Sequence, residues 1–131
     1  MLNITKSVEY GLIAMRHINN NKNQIVSTKE ISRLYHLPYD LLAKILQKLC
    51  KKKYLSVIKG PHGGYTVKKQ LKNISLIKFI EDLEGPIGII KCSIDSNCNQ
   101  IEQCNIKSPI NKLNDNIRHM LSNTSLSELT N

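Results

Sequence analysis

The stretch that most limits how this chain can fold is Tyr54–Lys68. Tyr54-Leu-Ser-Val-Ile-Lys59 carries β-branched residues in alternation, the pattern of a strand. Gly60-Pro-His-Gly-Gly64 is a run of turn formers, and Tyr65-Thr-Val-Lys68 reads as the returning strand. The expected hairpin lies directly behind an amphipathic helix, which defines what the helices before it can be.

Pro38 suits the first position of that helix, where its missing N–H costs nothing. Leu41, Leu42, Ile45, Leu46 and Leu49 share one face, and Tyr39, Asp40, Ala43, Lys44, Gln47, Lys48 and Lys51 line the other. Upstream, Ser27-Thr-Lys-Glu30 has the form of a capping box. It opens a short helix with Ile31 and Leu34, and His36-Leu37 is the turn between the two. Two helices joined tightly, the second polar and basic on its outer face, describe a helix-turn-helix as readily as an ordinary bundle. The hairpin decides for a winged helix-turn-helix, since a plain surface hairpin needs no frame of Lys59, Lys68 and Lys69.

Around this unit, Thr5 caps a helix over Lys6–Asn19 with Val8, Leu12, Ile13, Met15 and Ile18 as its apolar residues. Ser75 caps another through Leu83, stopped by Gly85-Pro86. Ser108-Pro109 opens a long helix to Ser122, whose stripe Ile110, Leu113, Ile117, Met120 and Leu121 is free to pair with a second copy. The expected fold is mostly α with a small β-hairpin wing: a winged helix-turn-helix domain plus a long C-terminal dimerisation helix. The boundaries are 1–85 for the DNA-binding domain, 86–106 for a cysteine-rich loop, and 107–131 for the dimerisation helix and tail.

The formal charge of +9 is uneven. Met1–Lys78 holds 15 lysines and arginines against 3 acids, while Phe79–Asn131 holds 4 against 7. A cationic first half points to a polyanion, with double-stranded DNA the leading partner. No basic amphipathic helix with a broad aromatic face speaks for a membrane. No apolar run of about 18 residues is present, and the start lacks the apolar core of a signal peptide, so a cytoplasmic location is expected. On the outer face of the second helix, Tyr39, Lys44, Gln47 and Lys48 are placed for DNA. In the wing, Lys59, His62 and Gly63 are, because a glycine tip permits close backbone approach. No catalytic constellation appears: no positioned Cys–His pair and no phosphate-binding glycine loop before a helix. The chain is not expected to be an enzyme.

Cys92, Cys98 and Cys104 stand with five residues between each pair. In a reducing cytosol such thiols are metal ligands or redox groups rather than structural disulfides. Iron–sulfur, zinc and a thiol–disulfide switch all remain open on the residues alone. The absence of a CxxC pair leans away from zinc. Cys50 follows Leu49 on the apolar helix and reads as a core thiol.

Ile4-Thr-Lys-Ser-Val-Glu-Tyr-Gly11, Leu42-Ala-Lys-Ile-Leu-Gln-Lys-Leu49, Lys59-Gly-Pro-His-Gly-Gly-Tyr65 and Ile80-Glu-Asp-Leu-Glu-Gly-Pro86, with the cysteine triplet after them, resemble the Rrf2 family of IscR, NsrR and SUF-operon regulators. Leu83-Glu-Gly-Pro-Ile-Gly followed by Cys92-Ser is most similar to the SUF-operon regulators. The resemblance covers nearly the whole chain. It implies a homodimeric transcription factor, built on its first and last helices, that binds promoter DNA. It also implies that Cys92, Cys98 and Cys104 hold an iron–sulfur cluster, 2Fe-2S or 4Fe-4S, which reports iron–sulfur supply, oxidative stress or nitric oxide. Some relatives place a histidine three residues after the third cysteine, where this chain has Lys107. Others use an acidic residue in the partner's first helix, a position matched by Glu9. The alternative is a regulator switched by zinc or by thiol oxidation, without a cluster.

Overall fold

The structure, a computed structural model, describes residues 4–85 and 107–130; Cys92, Cys98 and Cys104 lie outside the described residues. In chain order the elements are α1 (Lys6–Asn20), α2 (Thr28–Tyr35), α3 (Tyr39–Lys51), β1 (Leu55–Ile58), β2 (Gly64–Val67), a 3-10 turn (Leu71–Asn73), α4 (Leu76–Glu84), α5 (Lys107–Ser122) and α6 (Leu126–Thr130). The expected fold class holds: helices with one antiparallel hairpin, pairing Leu55 with Val67 and Ile58 with Gly64.

Local chemistry sets the helix starts. Thr5, Ser27 and Ser75 each accept a backbone N–H three residues on, offsetting part of the unpaired first turn. The capping box is only half formed. Ser27 Oγ accepts from the Glu30 amide at 3.1 Å, but the Glu30 carboxylate turns to His17 Nε2 at 2.7 Å. His17 Nδ1 lies 2.9 Å from the Tyr35 hydroxyl. A long-range bond between α1 and α2 has displaced a local one. Pro38 sits one place earlier than expected, as the N-cap, and Tyr39 opens α3.

The end of α3 is a six-residue chain reversal. The Tyr54 N–H donates to Leu49 O and the Lys53 N–H to Cys50 O, each at 3.0 Å. This Schellman arrangement needs a left-handed residue at its corner, and Lys53 supplies it at φ 69°. A side chain there carries a steric cost that glycine avoids. Relief of a left-handed penalty of about 1–2 kcal/mol, less an entropic cost of glycine of about 0.5–1 kcal/mol, is expected to make Lys53→Gly more stable, read as a higher urea midpoint with an unchanged slope.

The core gathers Val8, Met15 and Ile18 of α1, Ile31 of α2, Leu42, Leu46 and Leu49 of α3, and Phe79 and Leu83 of α4. Gly11 lets α1 press on α4: a Cβ there would lie 3.0 Å from Leu83 Cδ1 and 3.3 Å from Phe79 Cζ. Tyr54 is fully buried against Phe79, edge to face. Its hydroxyl donates to Asp82, and burial first, then that carboxylate, push its pKa up.

Two features were not foreseen. Val26 bridges to Tyr65 through a pair of backbone bonds of 3.1 and 2.7 Å, adding a one-residue third strand to the wing. And the tail expected after the last helix is instead α6, whose Leu126 is fully buried in the same core as Val8 and Phe79. The Leu126 N–H donates to Ile74 O at 2.7 Å and the Leu76 N–H to Thr124 O at 2.8 Å, stitching the return to the start of α4.

Candidate nucleic-acid interface

The sequence of α3 splits by burial as its spacing requires. Leu42, Ile45, Leu46 and Leu49 are buried, while Tyr39, Lys44, Gln47, Lys48 and Lys51 are exposed. Tyr39 is 53% exposed at the first turn, an unusual place for a large aromatic side chain without a partner surface. α2 is held across α3 at a turn closed by His36, which takes a left-handed conformation and donates its N–H to Ser32 O. Lys59, Gly60, Pro61 and His62 form the exposed wing tip.

The residues proposed for DNA are thus brought to two neighbouring surfaces, α3 and the wing, with two qualifications. First, Lys48 does not stand free over the face of α3: its ammonium donates to Leu83 O, the last-turn carbonyl of α4, at 2.9 Å. Second, Gly63 has a duty inside the hairpin. A Cβ on Gly63 would lie 2.0 Å from Ile58 O, and one on Gly64 would lie 2.4 Å from Val26 O. Neither distance is tolerable, so both glycines are required by the turn and by the Val26 bridge before any ligand is considered. Gly60 has φ 118° with open space around it, so only its backbone conformation demands glycine.

Tyr65 lines the junction of α3 and the wing. Burial raises its pKa, with smaller contributions from Cys50 and Tyr39. Cys50 is a half-buried free thiol at this junction, in keeping with a packing role.

The last turn of α4 entered the sequence reading only as part of the Ile80–Pro86 motif, yet its side chains and carbonyl reach across the fold. Glu81 accepts from Arg118 of α5, and Asp82 from Tyr54 below the wing. The Leu83 carbonyl accepts from Lys48 of α3, and Glu84 from the Thr5 hydroxyl at 2.6 Å. Four consecutive residues reach four different parts of the fold. No local pattern could have revealed these four bonds, because each spans at least 28 residues.

Glu9 lies on the exposed side of α1, its side chain 49% exposed and opposite Lys6 at 3.5 Å. That contact is a surface ion pair and holds the carboxylate weakly. On α5, Leu113 and Met120 are 48% and 60% exposed, whereas Leu121 packs on the core. The stripe expected to pair outside the subunit is therefore divided: part is spent at home, part is left bare. Among the described residues no helix is long and apolar enough to cross a membrane.

Comparison with known proteins gives four findings. The model of a family described as Rrf2, iron-dependent transcriptional regulator, matches residues 4–131. CymR (YrzC), the global cysteine regulator of B. subtilis, superposes with a TM-score of 0.76 at 24% identity, over 99% of this chain and 97% of that one. T. potens IscR does so with 0.74 at 22% identity, over 98% and 85%. A protein of Aquifex aeolicus (strain VF5) named as an HTH-type transcriptional regulator is 32% identical over 75 residues, 57% of this chain. The match spans about half of that relative's length, 52%.

Proposed function

This chain belongs to the Rrf2 family of iron-dependent transcriptional regulators, and we propose that it acts as a homodimeric, promoter-binding regulator that senses through Cys92, Cys98 and Cys104. The observation that carries the reading is a juxtaposition. A cationic recognition surface on α3 and the wing is tied by side-chain bonds to α4, and the cysteine segment follows α4 directly. In this reading Lys44, Gln47 and Tyr39 enter the major groove, and Lys59 and His62 reach the backbone beside it. The bare half of the α5 stripe, Leu113 and Met120, meets a second copy. The three thiolates, with Glu9 of the partner subunit, hold an iron–sulfur cluster; when bound, it supplies a centre that oxidants or nitric oxide destroy. The protein's own residues do the rest, converting the presence or absence of that four-donor anchor into the position of α3. The chain works in the cytoplasm and catalyses nothing.

A second reading keeps the regulator but not the cluster: zinc or a thiol–disulfide switch. It is favoured by the fold shared with a cysteine regulator. Anaerobic purification separates the two. The cluster reading expects a brown homodimer with iron and sulfide, bleached by air or nitric oxide. Cys92→Ala, Cys98→Ala and Cys104→Ala should each lose the colour and Cys50→Ala should keep it, while Glu9→Ala should shorten its lifetime in air at least several-fold. A colourless protein with stoichiometric zinc, or with no metal, sinks the cluster.

A further inference from the structure

Lys48 sits on the recognition helix, is exposed along its stem, and would serve any DNA-binding protein as a phosphate contact. Its ammonium instead donates to Leu83 O at 2.9 Å. A lysine at a helix C-terminus satisfies a carbonyl that has no partner within the helix and complements the negative end of the helix dipole. Leu83 is fixed from its other side as well: its side chain is buried, with Cδ1 3.0 Å from where a Gly11 Cβ would stand. Ile45, on the buried face of α3, lies 3.6 Å from the same point. α1, α3 and α4 thus converge at Gly11, and the only side-chain hydrogen bond described between α3 and α4 is that of Lys48.

Two residues beyond Leu83, Gly85 turns the chain with φ 90°, and the cysteine segment begins. A displacement of the chain where it leaves Gly85 would be passed to Leu83 O, two residues before it. We propose that Lys48 is a positioning residue that carries this movement to the recognition helix, and that it is not a DNA contact. The proposal rests on the sensor reading given above and adds its route.

The test is amide hydrogen exchange on the full-length homodimer, metal-free and after anaerobic reconstitution with iron and sulfide, in wild type, Lys48→Met and Lys48→Arg. Methionine keeps the stem and the helix propensity while removing the donor. In wild type, reconstitution should change exchange both in the last turn of α4 and in Tyr39–Lys51. In Lys48→Met the change should persist in α4 and disappear from α3, and Lys48→Arg should restore it. Binding to a random-sequence 30-base-pair duplex gives the second readout. Loss of a phosphate contact would lower the slope of log affinity against log salt by about 0.9, whereas the relay predicts an unchanged slope. A wild-type response of α3 in Lys48→Met, or a slope reduced by about 0.9, overturns the proposal. The sensor reading fails separately, in wild type itself, if reconstitution produces no visible absorption or leaves α3 unchanged; the relay then falls with it.

Discussion

Gly63→Ala is expected to break the wing while leaving the helical core folded. The added methyl would stand 2.0 Å from Ile58 O, an overlap that no side-chain rotation relieves because both partners are backbone. Overpacking in a site that can yield costs about 1–3 kcal/mol; here the hairpin must open instead, so the loss falls at or above the top of that range. The helices have their own core of Val8, Met15, Leu46 and Phe79. Circular dichroism should therefore keep its helical signal, while DNA affinity drops at least tenfold and exchange protection in β1 and β2 is lost. Retention of wing protection in Gly63→Ala would show that the turn can be rebuilt around a side chain.

Leu126→Ala should produce the second large effect. This residue is fully buried against α1 and the 3-10 turn, far along the chain from its neighbours in the core. Truncating a buried leucine removes its transfer energy and leaves a cavity, together about 2–5 kcal/mol. Against a total stability of about 5–15 kcal/mol, the variant should unfold at a markedly lower urea concentration, whether or not the cysteines carry a metal. A shift equivalent to under 1 kcal/mol would mean that α6 adds little to this core. The same loss is expected from ending the chain at Ser122, which would also remove the backbone bonds to Ile74 and Leu76.

These two residues mark the limit of what the sequence discloses. Helix starts were legible because Thr5, Ser27 and Ser75 act within one turn of themselves. The α3 face was legible because a period of 3.6 places Leu42, Ile45, Leu46 and Leu49 together whatever surrounds them. The hairpin was legible from its turn residues. Leu126 was not, because a five-residue segment has too few positions to show a period. Nor was the bridge of Val26 to Tyr65, since backbone pairing leaves no mark on side-chain type. Glu30 misled for a related reason: its spacing fits a capping box, but His17, 13 residues earlier, offers the carboxylate a closer partner. At the candidate site, exposure of Tyr39, Lys44 and Gln47 followed from the α3 pattern. The engagement of Lys48 did not, because Leu83 lies 35 residues along the chain. The ligand roles of Cys92, Cys98 and Cys104 came from spacing and resemblance and lie outside the described residues.

The Val26 bridge also bears on how this protein survives in a crowded cell. A two-stranded hairpin exposes two rows of backbone amides and carbonyls, each a template on which another chain can add a strand. The wing is at particular risk because Val57 and Ile58 are exposed beside it. Its strands are only four residues long, and Val26 occupies the outer edge of β2 at Tyr65. That single pairing closes one of the two edges to invaders. Substituting Gly64, whose missing side chain admits Val26, would reopen it and leave the wing with two edges on which another chain could add a strand.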